Sequence, residues 1–507
     1  MRDLALSLDL GTGGCKASLW APDGTQLAAA VVDYETSHPQ PGWNVQRVAD
    51  WWDAVRSSIR ALLADRPDAA PRIAGIGISG HSLGAVALDG RQQPIFADTP
   101  IWSDTRATAQ ADGFFDRFDE TTWYQRTGNG FAPALYPIFK AAWYAEHEPE
   151  DWKRARVLAG SKDYVNLRLT GQLCTDHSYA SGSGAYDLLT GDLDDEILDA
   201  ARLDRSLFPP IHASTDLIGE VLPDIAQDVG LPPGIPVFAG GVDNSCMALG
   251  SRCAVDGTTY MSLGSSSWMN FIGKTPVLSV QTRPYVFAHV VPELFVSALS
   301  TFSSGTTMTW IRDLVAPGAH MSDLIAAATS RDDIGLGLIF LPMLAGGTPV
   351  EGGSAARGLI YGLELAHTPN DLVRAAINGV TLALRRSFIG MAELTSKPQE
   401  VLISGGGSQD AGWNQIYADA LGVDVVKTSV DQQAAALGAA AIVFVGTGLW
   451  RDFSEVGIAH AEVQRYHPRS DRAEHYDHMA EWFDGLVEAA TDLRGQLGPS
   501  GVPTPAA

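Results

Sequence analysis

The sequence predicts an α/β protein of two similar halves facing each other across a cleft, and three stretches carry that prediction. The first is Asp9-Leu10-Gly11-Thr12-Gly13-Gly14-Cys15-Lys16, a glycine-rich turn between the apolar strands Leu4 to Leu8 and Ala17 to Ala21. The second, Thr258 to Trp268, repeats that pattern as strand, small-residue turn (Gly264-Ser265-Ser266-Ser267), strand. The third, Glu400 to Ser408, is a strand running into Gly405-Gly406-Gly407, followed by a helix expected from about Trp413 to Leu421. The echo is one of pattern rather than sequence identity, which suits a duplicated architecture.

The remaining elements follow in order. Pro22-Asp23-Gly24 turns into a third strand, Gln26 to Val32, completing a meander. Val48 to Ala64 has helical spacing at Trp51, Trp52, Val55, Ile59, Leu62 and Leu63. Ile73 to Ser79 reads as a core strand and Val86-Ala87-Leu88 as a short one; Pro94 to Ala97 is strand-like. Lys140 to Tyr144, Lys162 to Leu169 and Ile197 to Ala201 read as helical, and the Ser/Gly-rich Asp176 to Asp187 as loop. Pro236 to Ala239 is a strand ending in Gly240-Gly241-Val242-Asp243, with a helix from Cys246. Ala434 to Leu449 suits a tightly packed buried helix, Asp471 to Leu493 an amphipathic one, and Gly498 to Ala507 a Pro/Gly/Ala-rich disordered tail.

At 507 residues the chain exceeds what one core serves, so two large domains are expected. The division is placed at 1–245, 246–494 and a tail at 495–507. A net charge of −24 repels nucleic acid and anionic lipid, leaving small molecules as the expected partners. Cys15, Cys174, Cys246 and Cys253 form neither a C-x-x-C pair nor a zinc spacing, which fits free thiols and the cytoplasm. No signal peptide or membrane-spanning run is read.

The first turn has its own chemistry. Three glycines and a threonine let successive N–H groups point at one anion, because no Cβ blocks close approach or positive φ. Asp9 ends the incoming strand, where a carboxylate can hold Mg²⁺ through water, and Lys16 adds a compensating charge. Read alone, the same stretch is also an ordinary glycine-rich hairpin.

Two better-known patterns lack their context. Gly75-Ile76-Gly77-Ile78-Ser79-Gly80 matches G-x-G-x-x-G, but its first glycines lie inside a strand and no helix follows. Gly80-His81-Ser82-Leu83-Gly84 matches the nucleophile elbow G-x-S-x-G, yet Ala85 to Leu88 is too short for the required helix and no H-G-G-G stretch occurs. A P-loop motif is absent.

Taken together, Asp9 with Gly11 to Gly14, Asp243 after Gly240-Gly241, Gly264 to Ser267, and Gly405 to Gly407 resemble the FGGY family of carbohydrate kinases. Gly358 to Leu363 with Asp371 to Ala376 is similar to the family's C-terminal signature, and Lys140 to His147 more weakly to the N-terminal one. The resemblance implies an α/β, duplicated actin/hexokinase-like (ribonuclease H-like) ATPase fold with two domains around a cleft. Trp102-Ser103-Asp104-Thr105-Arg106, Gly160-Ser161-Lys162-Asp163-Tyr164 and Gly240 to Asn244 are similar to strings of the xylulokinase branch. That branch carries Gln-Met-His-Gly where this chain has His81-Ser82-Leu83-Gly84, so its sugar-facing histidine is displaced here. Gly346-Gly347-Thr348-Pro349 also lacks two charges of that branch, and Thr301 to Leu314 is closer to autoinducer-2 kinases.

The resemblance assigns roles. Asp243 is the base for the sugar hydroxyl; its other reading is a helix N-cap. Asp9 holds Mg²⁺; Thr12, Gly13 and Lys16 surround the terminal phosphates of ATP; Gly264 and Ser265 approach them from the other half; Gly406, Gly407 and Asn414 lie near adenosine. His81, Ser82, Trp102, Asp104, Asp243 and Asn244 are expected at the sugar. The expected reaction is transfer of the γ-phosphate of ATP to D-xylulose or a related ketose or polyol, with an autoinducer-2-like or polyol specificity as the alternative. An α/β-hydrolase using Ser82 and an actin-like ATPase are the readings from other classes. The assembly is left open, with a homodimer as the candidate.

Overall fold

The computed structural model of the protein describes residues 2–331 and 337–497, with side chains up to residue 493. In the first half, β1 (Leu4–Leu10), β2 (Gly14–Trp20) and β3 (Gln26–Asp33) form the meander, α1 (Val48–Asp65) follows, and β4 (Ile73–Gly80) returns to the sheet. Two helices, α2 (Pro137–His147) and α3 (Ser161–Thr170), precede β5 (Leu217–Glu220), β6 (Pro236–Phe238) and the short β7 (Gly241–Val242). The strand order is β5-β6-β4-β1-β2-β3, with β7 also pairing β4. Leu4, Leu6, Leu8 and Leu10 are fully buried in the central β1, and α1 covers one face through Trp51, Val55, Ile59 and Leu62. Burying both faces of such a strand is what its nearly continuous apolar sequence encodes.

The second half starts with α4 (Asp243–Gly250), then β8 (Thr259–Leu263), β9 (Ser267–Gly273), β10 (Tyr285–Ala288) and β11 (Phe295–Thr301). It continues with α5 (Gly305–Val315), α6 (Pro369–Leu394), β12 (Glu400–Ser404), α7 (Ala411–Leu421), β13 (Asp424–Thr428), α8 (Ala434–Gly446), β14 (Glu462–Tyr466) and α9 (Ser470–Leu497). Its sheet runs β10-β11-β9-β8-β12-β13-β14. The run β3-β2-β1-β4-β6 therefore reappears as β11-β9-β8-β12-β13, with the first two pairings antiparallel and the last two parallel in both halves. This is the duplication expected from the glycine turns. An antiparallel edge strand flanks each copy, but β5 precedes β6 in sequence whereas β14 follows β13.

Two helices bind the halves together. α8 belongs to the second half by sequence yet packs on the first sheet, where an added Cβ at Gly77 would lie 2.3 Å from the Ala439 carbonyl oxygen. The glycines of the apparent G-x-G-x-x-G run thus admit a helix rather than a dinucleotide. α8 also crosses α4 at backbone contact: a Cβ at Gly250 would meet the Ala434 oxygen at 1.7 Å, and one at Gly438 the Cys246 oxygen at 2.0 Å. The domain boundary expected at 245/246 falls inside α4.

Several elements differ from the reading of the sequence. The helix after Gly241 starts at Asp243, three residues earlier than expected. Of the strand-like residues 94–97 only the start pairs, Pro94 bridging Leu88 antiparallel, and the strand that follows is Asp98–Pro100, paired with Val45–Arg47. The expected loop at 176–187 holds a short buried helix, His177–Ala180. Of the tail placed at 495–507, residues 495–497 continue α9 and 498–507 lie outside the described residues. No helix among the described residues is long and apolar enough to cross a membrane.

Candidate active site

Two cavities lie on either side of the β8–β9 turn, Gly264 to Ser266. The larger, about 530 Å³, is lined by Gly264 and Ser265 of that turn, by Ser304, Thr309 and Arg312 at α5, by Met321 and Ile325, and by Gly406 and Gly407. Gly305 and Thr306 donate their N–H groups to the carbonyls of Gly264 and Ser265 at 3.0 and 3.2 Å, fastening the turn to the start of α5. Gly405 has φ +93°, and a Cβ there would strike the Leu263 carbonyl, so only glycine lets β12 turn here. Asn414 does not reach this cavity: it is buried on α7 and donates Nδ2 to the Ser408 carbonyl at 2.9 Å, supporting the glycine turn from beneath.

The other cavity, about 220 Å³, gathers Thr12, Ser82, Leu83, Trp102 and Phe131 from the first half, Asp243, Asn244 and Met247 from α4, and Tyr260, Ser262, Ser266, Trp268 and Asn270 from the hairpin. Asp243 stands at the first turn of α4, whose N-cap is Val242, so the capping reading does not apply. Its Oδ1 accepts from the Asn244 N–H at 2.8 Å. Burial pushes its pKa up to about 7, with the Asn244 N–H opposing and the charge of Asp9 adding to the rise. A carboxylate poised near neutrality can take a proton from an alcohol as bond formation begins.

Asp9 of β1 lies opposite Lys16 of β2 in the sheet register and beside Ser79 of β4. Burial raises its pKa, while Ser79 and Lys16 oppose the rise. Lys16 reaches the second half, donating Nζ to the Gln432 carbonyl at 3.5 Å. No group of three or more His, Cys, Asp or Glu among the described residues forms a metal cage. Asp9, whose charge also acts on Asp243, is instead a hard-oxygen donor of the kind that holds Mg²⁺ when water and phosphate oxygens complete its shell.

The Gly11–Gly14 turn is tight, with the Gly11 N–H bonded to the Gly14 carbonyl at 3.0 Å, and Trp102 donates Nε1 to Thr12 Oγ1 at 3.0 Å. A Cβ at Gly13 would meet nothing within 4 Å, whereas one at Gly14 would lie 2.7 Å from the Val32 oxygen. Gly13→Val is therefore expected to weaken ATP binding about tenfold (~1.4 kcal/mol) while unfolding at the wild-type temperature. A nucleotide titration with a thermal melt checks this, and unchanged ATP affinity would count against a phosphate cradle.

Two residues expected at the sugar are placed elsewhere. His81 is buried edge-on against Trp51, with ring centroids 5.0 Å apart, and does not line the cavity; burial lowers its pKa to about 4. Asp104 is also buried. Both its oxygens accept from Arg106 at 2.8 Å, and Oδ2 takes the Asn44 N–H at 2.7 Å, so the carboxylate shapes the Trp102 loop and has no role in lining the cavity. Ser82, Trp102, Asp243 and Asn244 do line it, and Leu83, in the left-handed region at φ +58°, occupies the wall. The G-x-S-x-G segment leads into strand Val86–Asp89 rather than a helix, and its histidine faces Trp51, so the esterase arrangement is absent.

Sequence reasoning missed the hairpin's contribution. Trp268, Asn270 and Tyr260 looked like ordinary strand residues, and Phe131 stacks on Tyr285 at 3.8 Å from the other half of the chain. It also missed Lys140, which is fully buried and donates Nζ to the carbonyls of Leu83 at 2.8 Å and Ile101 at 2.7 Å. That one ammonium ties together the two loops bearing Leu83 and Trp102, and burial lowers its pKa to about 7.

Comparison with known proteins places the chain in a family. Residues 4–250 match the N-terminal domain of the FGGY family of carbohydrate kinases, and residues 259–447 match its C-terminal domain. A xylulose kinase of Lactococcus lactis is 28% identical over 97% of this chain and 98% of its own. A gluconokinase of Bacillus licheniformis is 25% identical over 98% of each. The crystal structure of xylulose kinase from Rhodospirillum rubrum superposes with a TM-score of 0.91 at 27% identity, covering 97% of this chain and all of that one. The chain belongs to the FGGY family of carbohydrate kinases, and with this fold and cleft it is an ATP-dependent sugar kinase.

Proposed function

We propose that the acceptor is a neutral, short-chain ketose or polyol, with D-xylulose the reference substrate. One observation carries this reading: among the described residues no Lys, Arg or His lines the 220 Å³ cavity, and the one charged side chain that does is the carboxylate of Asp243. A sugar acid such as gluconate would bring a second anion into that wall without a cation to meet it, which is costly in a buried site. A neutral sugar instead finds Ser82, Asn244, Asn270 and Tyr260 as hydrogen-bond partners, with Trp102 and Trp268 as flat apolar walls.

In this reading Asp243 accepts the proton of the attacking hydroxyl, and the N–H groups of Thr12 and Gly13 in one turn and of Ser265 in the other hold the phosphate chain. Gly406 and Gly407 leave room for the nucleoside. When bound, Mg²⁺ at Asp9 supplies neutralising charge to the phosphates. Positioning and charge complementarity carry the reaction, and the two halves exclude water from it. The four cysteines are free and buried, in keeping with the cytoplasm as the proposed compartment.

A coupled ADP-release screen of ketoses, polyols and sugar acids tests the assignment. Neutral acceptors should lead and gluconate should trail by at least about 100-fold in kcat/KM, of the order by which an unpaired buried group discriminates. Gluconate in first place would overturn it.

Leu83 gives a finer test. Its φ of +58° is a backbone region that histidine tolerates. Leu83→His is expected to raise kcat/KM for D-xylulose by up to about tenfold, the effect of one recovered hydrogen bond. A fall in that activity would place the sugar contact elsewhere.

A further inference from the structure

The motif Gly160 to Tyr164 opens α3 away from both cavities, yet it carries a fully buried charge. Lys162 Nζ lies 2.8 Å from Asp163 Oδ1, 3.0 Å from Asp176 Oδ1 and 3.0 Å from the Ala239 carbonyl oxygen, to which Asn166 also donates. Burial works against its charge, but the two carboxylates outweigh burial and raise its pKa, so it stays an ammonium. Such a cluster is weak evidence for stability, because desolvation offsets much of the attraction. What it does hold is the main chain ahead of α4.

That chain is gripped at two points. Ala239 is held through Lys162 and Asn166. Val242, the residue before Asp243, donates its N–H to Ser178 Oγ at 2.9 Å. Ser178 in turn donates Oγ–H to Asp176 Oδ2, which also accepts from the Ser178 N–H at 2.9 Å and from Ser214 at 3.2 Å. Between the grips, Gly240 turns at φ +78°, where a Cβ would meet the Ile78 carbonyl at 2.3 Å. The sequence from Ala239 to Asp243 thus has no conformational slack.

We propose that Lys162, Asp176 and Ser178 are positioning residues that fix the carboxylate of Asp243 against the acceptor hydroxyl, acting through the main chain at Ala239 and Val242. The proposal rests on the reading of Asp243 as base. Misplacing a base by a fraction of an ångström slows turnover while leaving both substrates bound.

Ser178→Ala removes one hydroxyl and no charge, so it is the principal variant. Asp176→Asn keeps the shape and leaves one cation facing one anion. With ATP and D-xylulose, each is expected to lower kcat about tenfold while KM for both substrates stays within about twofold. Ser178→Ala should melt within about 2 °C of the wild type. In an Asp243→Asn background the same Ser178→Ala change should cost less than about twofold, because a group acting through Asp243 has nothing left to position. Wild-type kcat in Ser178→Ala, or an equal loss in both backgrounds, would overturn the inference. Near-normal turnover of Asp243→Asn alone would instead remove the base reading on which it rests, and the two failures are told apart by that single variant.

Discussion

Asp243→Asn is expected to lower kcat by about 10²–10⁴-fold, the range that general-base removal produces, while KM for ATP and for the sugar changes little. The amide preserves shape and removes only the proton acceptor, so the loss belongs to the transition state. The wild type should show a matching pH dependence. Burial holds Asp243 near pKa 7, and only its ionised form accepts a proton, so kcat should fall as pH drops below about 7. Asp243→Asn should lack that acidic limb. Steady-state kinetics across pH 5.5–8.5 reads both effects, and a variant with near-normal turnover removes Asp243 from the chemistry.

Gly438→Val is expected to produce the largest structural effect. A Cβ at this position would sit 2.0 Å from the carbonyl oxygen of Cys246, a backbone atom that cannot swing aside. The helices must then separate, at a cost of about 3 kcal/mol or more. Because α4 carries Asp243 at its start, the residual folded protein should also turn over poorly. Thermal unfolding with activity measured on the same sample tests this. An unshifted melt would mean that the α4–α8 contact is looser than its geometry states.

How much of this was legible depended on whether the signal was local. The strand and glycine pattern at Leu4 to Trp20 and again at Thr259 to Gly273 was readable because a buried strand and a bare turn are written in consecutive residues. α1 and α9 announced themselves by apolar spacing. α6 went unread as a helix because its first turns, Asp371 to Ala376, read only as part of a family signature, although residues such as Arg374, Asn378, Thr381 and Ser387 are buried along with its apolar ones. At the site, Asp243, Gly264 and Gly406 could be placed by motif. His81 and Asp104 sit in the right segments, but side-chain direction decides function, and a positive φ at Leu83 and the grip of Arg106 are not visible in a string. Lys140 and Lys162 looked like helix residues; only the fold brings carbonyls and carboxylates to their ammonium groups.

The central claim is phosphoryl transfer from ATP to a neutral short-chain sugar at the cleft between the halves. The most direct measurement is a rapid-quench single turnover with ATP and D-xylulose, resolving the phosphorylated product by mass. The account predicts one phosphopentulose formed for each ADP, and negligible product when gluconate replaces D-xylulose. ADP released without a phosphorylated sugar, or phosphorylated gluconate in preference to phosphopentulose, would contradict it.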